Sequence, residues 1–152
     1  MFFGGITGKY RKGPCLLWEK AWGTIKSTTY CEHTVPILDA YIWEHPELIL
    51  MQDGAGGNIA QATMDVLEAL MINTIRWPSF SPDLNPIETL WNRMKDWLQE
   101  KYPELHRHHT RLRERVIEAW EAIPNEEVIA LIHSMPTRCQ AVIDARGWYT
   151  KY

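Results

Sequence analysis

Leu48-Ile49-Leu50-Met51-Gln52-Asp53-Gly54-Ala55-Gly56-Gly57-Asn58 is the stretch on which the fold class turns. Four consecutive apolar residues follow the breaker His45-Pro46-Glu47 and run into a polar, glycine-rich loop. A short apolar run bounded by breakers reads as a buried strand of a parallel or mixed sheet. A carboxylate at the C-terminal end of such a strand stands at the mouth of the sheet, where ligands bind. Glycines at 54, 56 and 57 allow a sharp turn and close approach of a ligand. Asp53 thus has two open readings, a ligand-binding carboxylate or a turn residue followed by flexible glycines. The loop lacks the Gly-Lys-Ser/Thr ending of a phosphate-binding loop.

Outward from that run, the pattern predicts strands first, with helices between them, and then a helical tail. Phe2-Phe3-Gly4-Gly5-Ile6-Thr7 and Cys15-Leu16-Leu17-Trp18 read as a hairpin around the turn-rich residues 8–14. A helix is expected from an N-cap at Ser27 through Tyr30, Val35, Leu38, Tyr41 and Ile42, with a kink at Pro36. Ala60, Met64, Leu67 and Met71 recur at helical spacing, and Asn73–Trp77 reads as a second short strand stopped by Pro78. Ile87, Trp91, Met94 and Leu98 form one helical stripe, and Val116, Trp120 and Ile123 another. Asn125 and Met135-Pro136 read as helix starts, and Gly147 as a stop.

Pro82-Asp83-Leu84-Asn85-Pro86-Ile87-Glu88 carries the second candidate carboxylate. Asn85 as N-cap, Pro86 at the first helical position and Glu88 at the third make a capping box, which is a complete structural account of Glu88. On a helical wheel, however, Glu88 lies about 100° from the Ile87 stripe, on the side of Asn92 and Lys95, so it is placed to line a groove. Hard divalent cations take carboxylate, water and phosphate oxygens. A pair of them activates the attacking oxygen and stabilises the leaving one in phosphodiester chemistry. Asp53 and Glu88 are the residue types for such a site, although the 34 residues between them leave their proximity open.

Other candidates are nucleic-acid contacts. Trp77, beside the proline loop, is placed to stack on a base. Lys101 to Arg115, including Arg107 and Arg111, holds five Lys/Arg against two Glu, with three His. It reads either as a phosphate-contacting stretch or as a solvated helix face. His106, His108 and His109 have no acidic or Cys partner at metal-ligand spacing.

The bulk numbers bound these readings. The chain has 152 residues, a formal charge of −3, 45% hydrophobic and 23% charged residues, which suits one domain and excludes a disordered or collagen-like chain. The deficit is concentrated in residues 54–100, with three basic residues against six acidic. No apolar run approaches the ~18 residues of a membrane helix, and the start lacks a signal-peptide pattern. Cys15, Cys31 and Cys139 match neither a disulfide framework nor a zinc site, which points to a reducing compartment.

Met51-Gln52-Asp53-Gly54-Ala55, Trp77-Pro78 and Ser81-Pro82-Asp83-Leu84-Asn85-Pro86-Ile87-Glu88-Thr89-Leu90-Trp91 together resemble the catalytic core of Tc/mariner transposases. Ser134-Met135-Pro136-Thr137-Arg138-Cys139 through Gly147, then Thr150-Lys151-Tyr152, resembles that family's C-terminus, and Phe3-Gly4-Gly5-Ile6 with Gly13-Pro14 its opening hairpin. The resemblance implies an α/β, RNase H-like fold: a mixed sheet with flanking helices over 1–100 and a helical portion over 101–152, all one domain. It implies three acidic residues holding two Mg²⁺ or Mn²⁺ ions for DNA cleavage and strand transfer. Asp53 matches the second acid and Glu88 the third. Implied partners are transposon-end and target DNA, a full-length transposase or a second copy, and no membrane. The implied location is the nucleus in a eukaryote, otherwise the cytoplasm.

In the family the first acid lies on a strand before the hairpin, and helix-turn-helix modules precede it. The sequence has no counterpart, and Asp39, in the predicted helix, is a poor substitute. Gly56 and Asn58 also stand near positions where relatives often have Pro and His. The expectation is an N-terminally truncated catalytic fragment, without its first strand, marginally stable or rearranged and without meaningful activity. The alternative is a non-catalytic module that binds DNA or a transposase.

Overall fold

The computed structural model describes residues 1–9, 11–54, 60–78, 80–104 and 109–152. The chain divides into two compact units, one of Met1 with Pro14–Ser81, the other of Phe2–Gly13 with Pro82–Tyr152. Strand β1 (Phe2–Thr7) pairs with β2 (Arg11–Leu17) in a two-stranded sheet. The turn is tighter than residues 8–14, because Arg11–Pro14 join the second strand.

In the first unit, α1 (Ser27–His33), α2 (Val35–Glu44) and α3 (Gln61–Ala69) enclose a core of Trp18, Tyr30, Val35, Leu38, Leu67 and Ile72. Burying each large apolar side chain contributes about 1.5–3 kcal/mol before entropy is counted. The helix expected across Pro36 is broken, not kinked. Pro36 lies in the first turn of α2, where its missing N–H costs nothing, and Thr34 forms the joint. Ser27 is the first helical residue instead of the cap. Its hydroxyl meets that of the buried Thr63 at 2.8 Å, and the Lys26 N–H donates to Thr29 Oγ1 at 3.0 Å.

The two short strands predicted at Leu48–Met51 and Asn73–Trp77 shrink to one parallel bridge, Leu50 with Thr74. The Leu50 N–H donates to the Asn73 carbonyl (2.8 Å), and the Ile75 N–H to the Leu50 carbonyl (2.9 Å). Ile49 is 56% exposed, so the run is not a buried strand. Among the described residues no third strand pairs with either segment, and a parallel pair bonded on one side gains too little to extend. The expected mixed sheet is therefore corrected to a hairpin plus this bridge, in a mostly helical chain.

In the second unit β1 packs against α6 (Asn125–His133), α4 (Ile87–Lys101) packs against α5 (His109–Ala122) and α6, and α7 (Met135–Asp144) packs against α6 and the 3-10 turn Pro82–Leu84. Phe2, Trp91 and Trp120 form an aromatic trio with centroids 5.6–5.7 Å apart, two contacts edge-on and one stacked. Leu90, Met94, Ala119, Ile123 and Val128 complete the core. Lys12 Nζ donates to the carbonyls of Trp120, Glu121 and Ile123 at 2.9–3.1 Å, satisfying the orphan carbonyls at the end of α5. The expected starts at Asn125 and Met135-Pro136 form, and Gly147 (φ 82°) stops the chain beyond α7 by donating to the Val142 carbonyl.

Gly4 lies where a side chain has no room. A Cβ there meets Trp91 Cη2 at 3.0 Å and Trp120 Cη2 at 3.2 Å. Gly4→Ala is expected to lower unfolding stability by about 1–3 kcal/mol through overpacking. Gly8→Ala, whose Cβ finds Ile132 at 3.4 Å, is expected to be near neutral. Urea unfolding of both variants checks the contrast.

Candidate functional site

Asp53 is carried three residues beyond the Leu50 bridge and is exposed. Its neighbour Gln52 is tied inward, its Oε1 accepting the Tyr30 hydroxyl at 2.9 Å. Tyr30 is 3% exposed. Burial, then the Asp53 charge and the Cys31 thiol, push the Tyr30 hydroxyl well above the usual phenol range, so it remains a neutral donor. Its bond to Gln52 ties the segment that ends in Asp53 to the core of the first unit.

Glu88 is the second residue of α4 and is half-buried. The helix starts one residue later than expected. Pro86 holds the cap position, and the Ile87 N–H points to Asn85 Oδ1 at 3.4 Å. The Asn85 N–H, which a capping box hands to the glutamate, donates to the Pro82 carbonyl at 2.9 Å. A carboxylate in this first turn is favoured by the helix dipole.

Lys95 follows Glu88 by seven residues on the same face of α4 and is exposed, with Nζ 3.5 Å from Asn92 Oδ1. Trp77 is half-buried after the Thr74 bridge. Asp53 and Trp77 belong to the first unit, and Glu88, Lys95 and Arg111 to the second. Arg107, His106 and His108 lie outside the described residues. Arg111 is exposed on α5. Two other cations of that stretch are engaged by one carboxylate: Glu118 accepts from Lys101 Nζ (2.6 Å), Arg115 Nη1 (2.8 Å) and the Tyr102 hydroxyl (2.9 Å). Sequence spacing did not reveal this pairing, because Glu118 lies beyond the basic run.

Asp53 and Glu88 are oxygen ligands of the type Mg²⁺ and Mn²⁺ take, one exposed at the end of the paired segment and one in a helix's first turn. Among the described residues no group of three His, Cys, Asp or Glu is gathered in a way that holds a metal. Mg²⁺ usually takes one or two carboxylates plus water and phosphate, so the donors fit in kind and leave positions for other oxygens.

Residues 18–109 match the family model described as DDE superfamily endonuclease. The Tc1 transposase of Caenorhabditis elegans is 45% identical over 82 residues, covering 53% of this chain and 29% of the relative. The Tcb1 transposase of Caenorhabditis briggsae is 43% identical over 89 residues, covering 53% and 29%. The chain thus spans 29% of the length of the curated relatives it matches. The Mos1 transposase catalytic domain solved with raltegravir and Mn superposes with a TM-score of 0.76 at 22% identity, covering 92% of this chain and 72% of that one. A Mos1 paired-end complex with the left transposon end gives 0.73 at 22% identity, covering 92% and 41%. This likeness establishes the RNase H-like fold. Among the described residues no helix is long and apolar enough to cross a membrane.

The Glu118 cluster generates a pH prediction. Hydrogen bonds from Lys101, Arg115 and Tyr102 pull its carboxyl from 4.5 down to about 2. A group depressed in the folded state contributes stability that is present above its unfolded value and lost as pH falls through the folded one. Between pH 5 and 2 the melting temperature of Glu118→Gln is expected to fall less than that of the unsubstituted chain. Thermal melts across that window read it directly.

Proposed function

The chain belongs to the DDE superfamily of endonucleases, within the Tc1/mariner transposase catalytic domains, and from that membership we propose that Asp53 and Glu88 are metal ligands of a DNA phosphodiester site. The observation that carries the proposal is the family match over residues 18–109, which includes both carboxylates in the Gln-Asp-Gly and Pro-Asp-Leu-Asn-Pro-Ile-Glu motifs. The substrate class is double-stranded DNA, at transposon ends and in the target.

When bound, a divalent cation polarises the phosphodiester and activates the attacking oxygen. The chain's residues supply the setting. Asp53 offers an exposed carboxylate on a segment steadied by the Tyr30–Gln52 bond. Glu88 offers one from the rigid start of a helix. Lys95 and Arg111 carry exposed positive charge for backbone phosphates, Trp77 a ring for base stacking, and Arg107 a further cation. Two carboxylates, against the three of a complete two-ion set, predict no measurable strand cleavage by these residues alone.

A second reading is a non-catalytic DNA- or transposase-binding module, to which the exposed cations Lys95 and Arg111 are equally suited.

Mn²⁺ titration followed by tryptophan fluorescence tests the first reading. Asp53→Asn and Glu88→Gln are each expected to weaken Mn²⁺ binding at least about tenfold. Unchanged affinity in both variants, together with salt-sensitive DNA binding, leaves the second reading standing alone. Cleavage of transposon-end DNA that Asp53→Asn abolishes would contradict the expected inactivity.

A further inference from the structure

Arg138 is 2% exposed, and no sequence reading gave it a task. It extends from α7 and donates from each of its three guanidinium nitrogens within the second unit. Nε donates to Ser134 Oγ (2.8 Å), Nη1 to the Asp83 carbonyl (2.8 Å) and Nη2 to Thr89 Oγ1 (3.0 Å). The Tyr152 ring covers the guanidinium at 4.6 Å. Ser134 is itself fixed, its hydroxyl donating to the Leu131 carbonyl at 2.6 Å. Asp83 is held a second time, its Oδ2 accepting the Thr150 hydroxyl at 3.0 Å.

The two points Arg138 grips stand on either side of the start of α4. Asp83 is in the 3-10 turn Pro82–Leu84, and Thr89 is the residue after Glu88. A planar fork bonded at both points fixes the distance between turn and helix. The backbone between them has only one-turn bonds of its own, Asn85 N–H to Pro82, Glu88 N–H to Asn85 and Thr89 N–H to Pro86 at 2.9–3.2 Å. Burying a guanidinium is costly, and a hydrophobic residue fills such a space without that cost. The cation is better accounted for by its geometry than by its contribution to stability.

We propose that Arg138 is a positioning residue for Glu88: with Thr150 and Tyr152 it clasps the turn at Asp83 to Thr89 and sets where the glutamate's carboxylate is presented. Its bearing on metal binding rests on the reading of Glu88 as a ligand, but the clasp does not. The chain's last residues are, on this account, part of the support of the candidate site.

The test pairs two measurements on the full chain. Arg138→Lys keeps the charge but loses the fork, and Thr89→Val removes one acceptor while keeping the shape. Val128→Ala, in the fully buried core of the same unit, supplies a destabilised control. Native-state hydrogen exchange at the Glu88 and Thr89 amides is expected to quicken about tenfold or more in Arg138→Lys, less in Thr89→Val, and no more than elsewhere in α4 in Val128→Ala. Mn²⁺ affinity, read by electron paramagnetic resonance, is expected to fall about tenfold in Arg138→Lys and to hold in Val128→Ala. Exchange at 88 and 89 that tracks global stability alike in all three variants overturns the proposal. So does Mn²⁺ affinity that drops in Glu88→Gln but not in Arg138→Lys. Selective exchange with Mn²⁺ binding indifferent to Glu88→Gln keeps the clasp and removes the ligand role of Glu88 instead.

Discussion

Two backbone hydrogen bonds, from Leu50 to the Asn73 carbonyl and from Ile75 back to the Leu50 carbonyl, hold the segment that ends in Asp53. The placement of that carboxylate depends on them. A buried or half-buried backbone group needs a partner, and a strand finds it only in a neighbour. With a single parallel bridge between these two segments, the first unit draws its stability from helix packing around Leu67, Val35 and Tyr30. The bridge survives because it lies against that packed core, with Ile72 buried just before Thr74.

The two candidate carboxylates are mounted in the same way. Each follows or precedes a residue whose side chain is gripped by a buried group from another element. Gln52 is bonded by the buried Tyr30 before Asp53, and Thr89 is bonded by the buried Arg138 after Glu88. A buried polar group satisfied on all sides is rigid, and leaving it unsatisfied is expensive. The neighbour's bond therefore restricts the backbone that carries the carboxylate.

Much of this was legible in the residues. Helix starts at Asn125 and Met135-Pro136, the Gly147 stop and the stripe through Met94 followed from cap chemistry and periodicity, which act locally. The first-turn position of Glu88 in its helix followed in the same way. What was not legible depended on long-range pairing. Leu48–Met51 has the composition of a buried strand, and only the absence of a second neighbour among the described residues exposes Ile49. Leu90, fully buried, was missed because the Ile87 stripe was drawn too narrowly. Arg138 had no assigned task, since nothing in its own helix indicates that Asp83 and Thr89 will meet it. Lys12 is the same case, reaching carbonyls more than 100 residues away.

That Lys12 contact has a topological consequence. The second unit is assembled from two stretches of chain, Phe2–Gly13 and Pro82–Tyr152, with the first unit's residues between them. Its core is complete only when Phe2 and Gly4 meet Trp91 and Trp120, so a loop of about 90–120 residues must close before that burial is gained, a costly step in the search for the native state. During synthesis, the hairpin must wait for α5 to leave the ribosome before it has a surface to pack on. A single cut in the intervening segment would turn the hairpin into a separate peptide, retained by contacts that include the aromatic trio, the close packing at Gly4 and the three carbonyls gripped by Lys12.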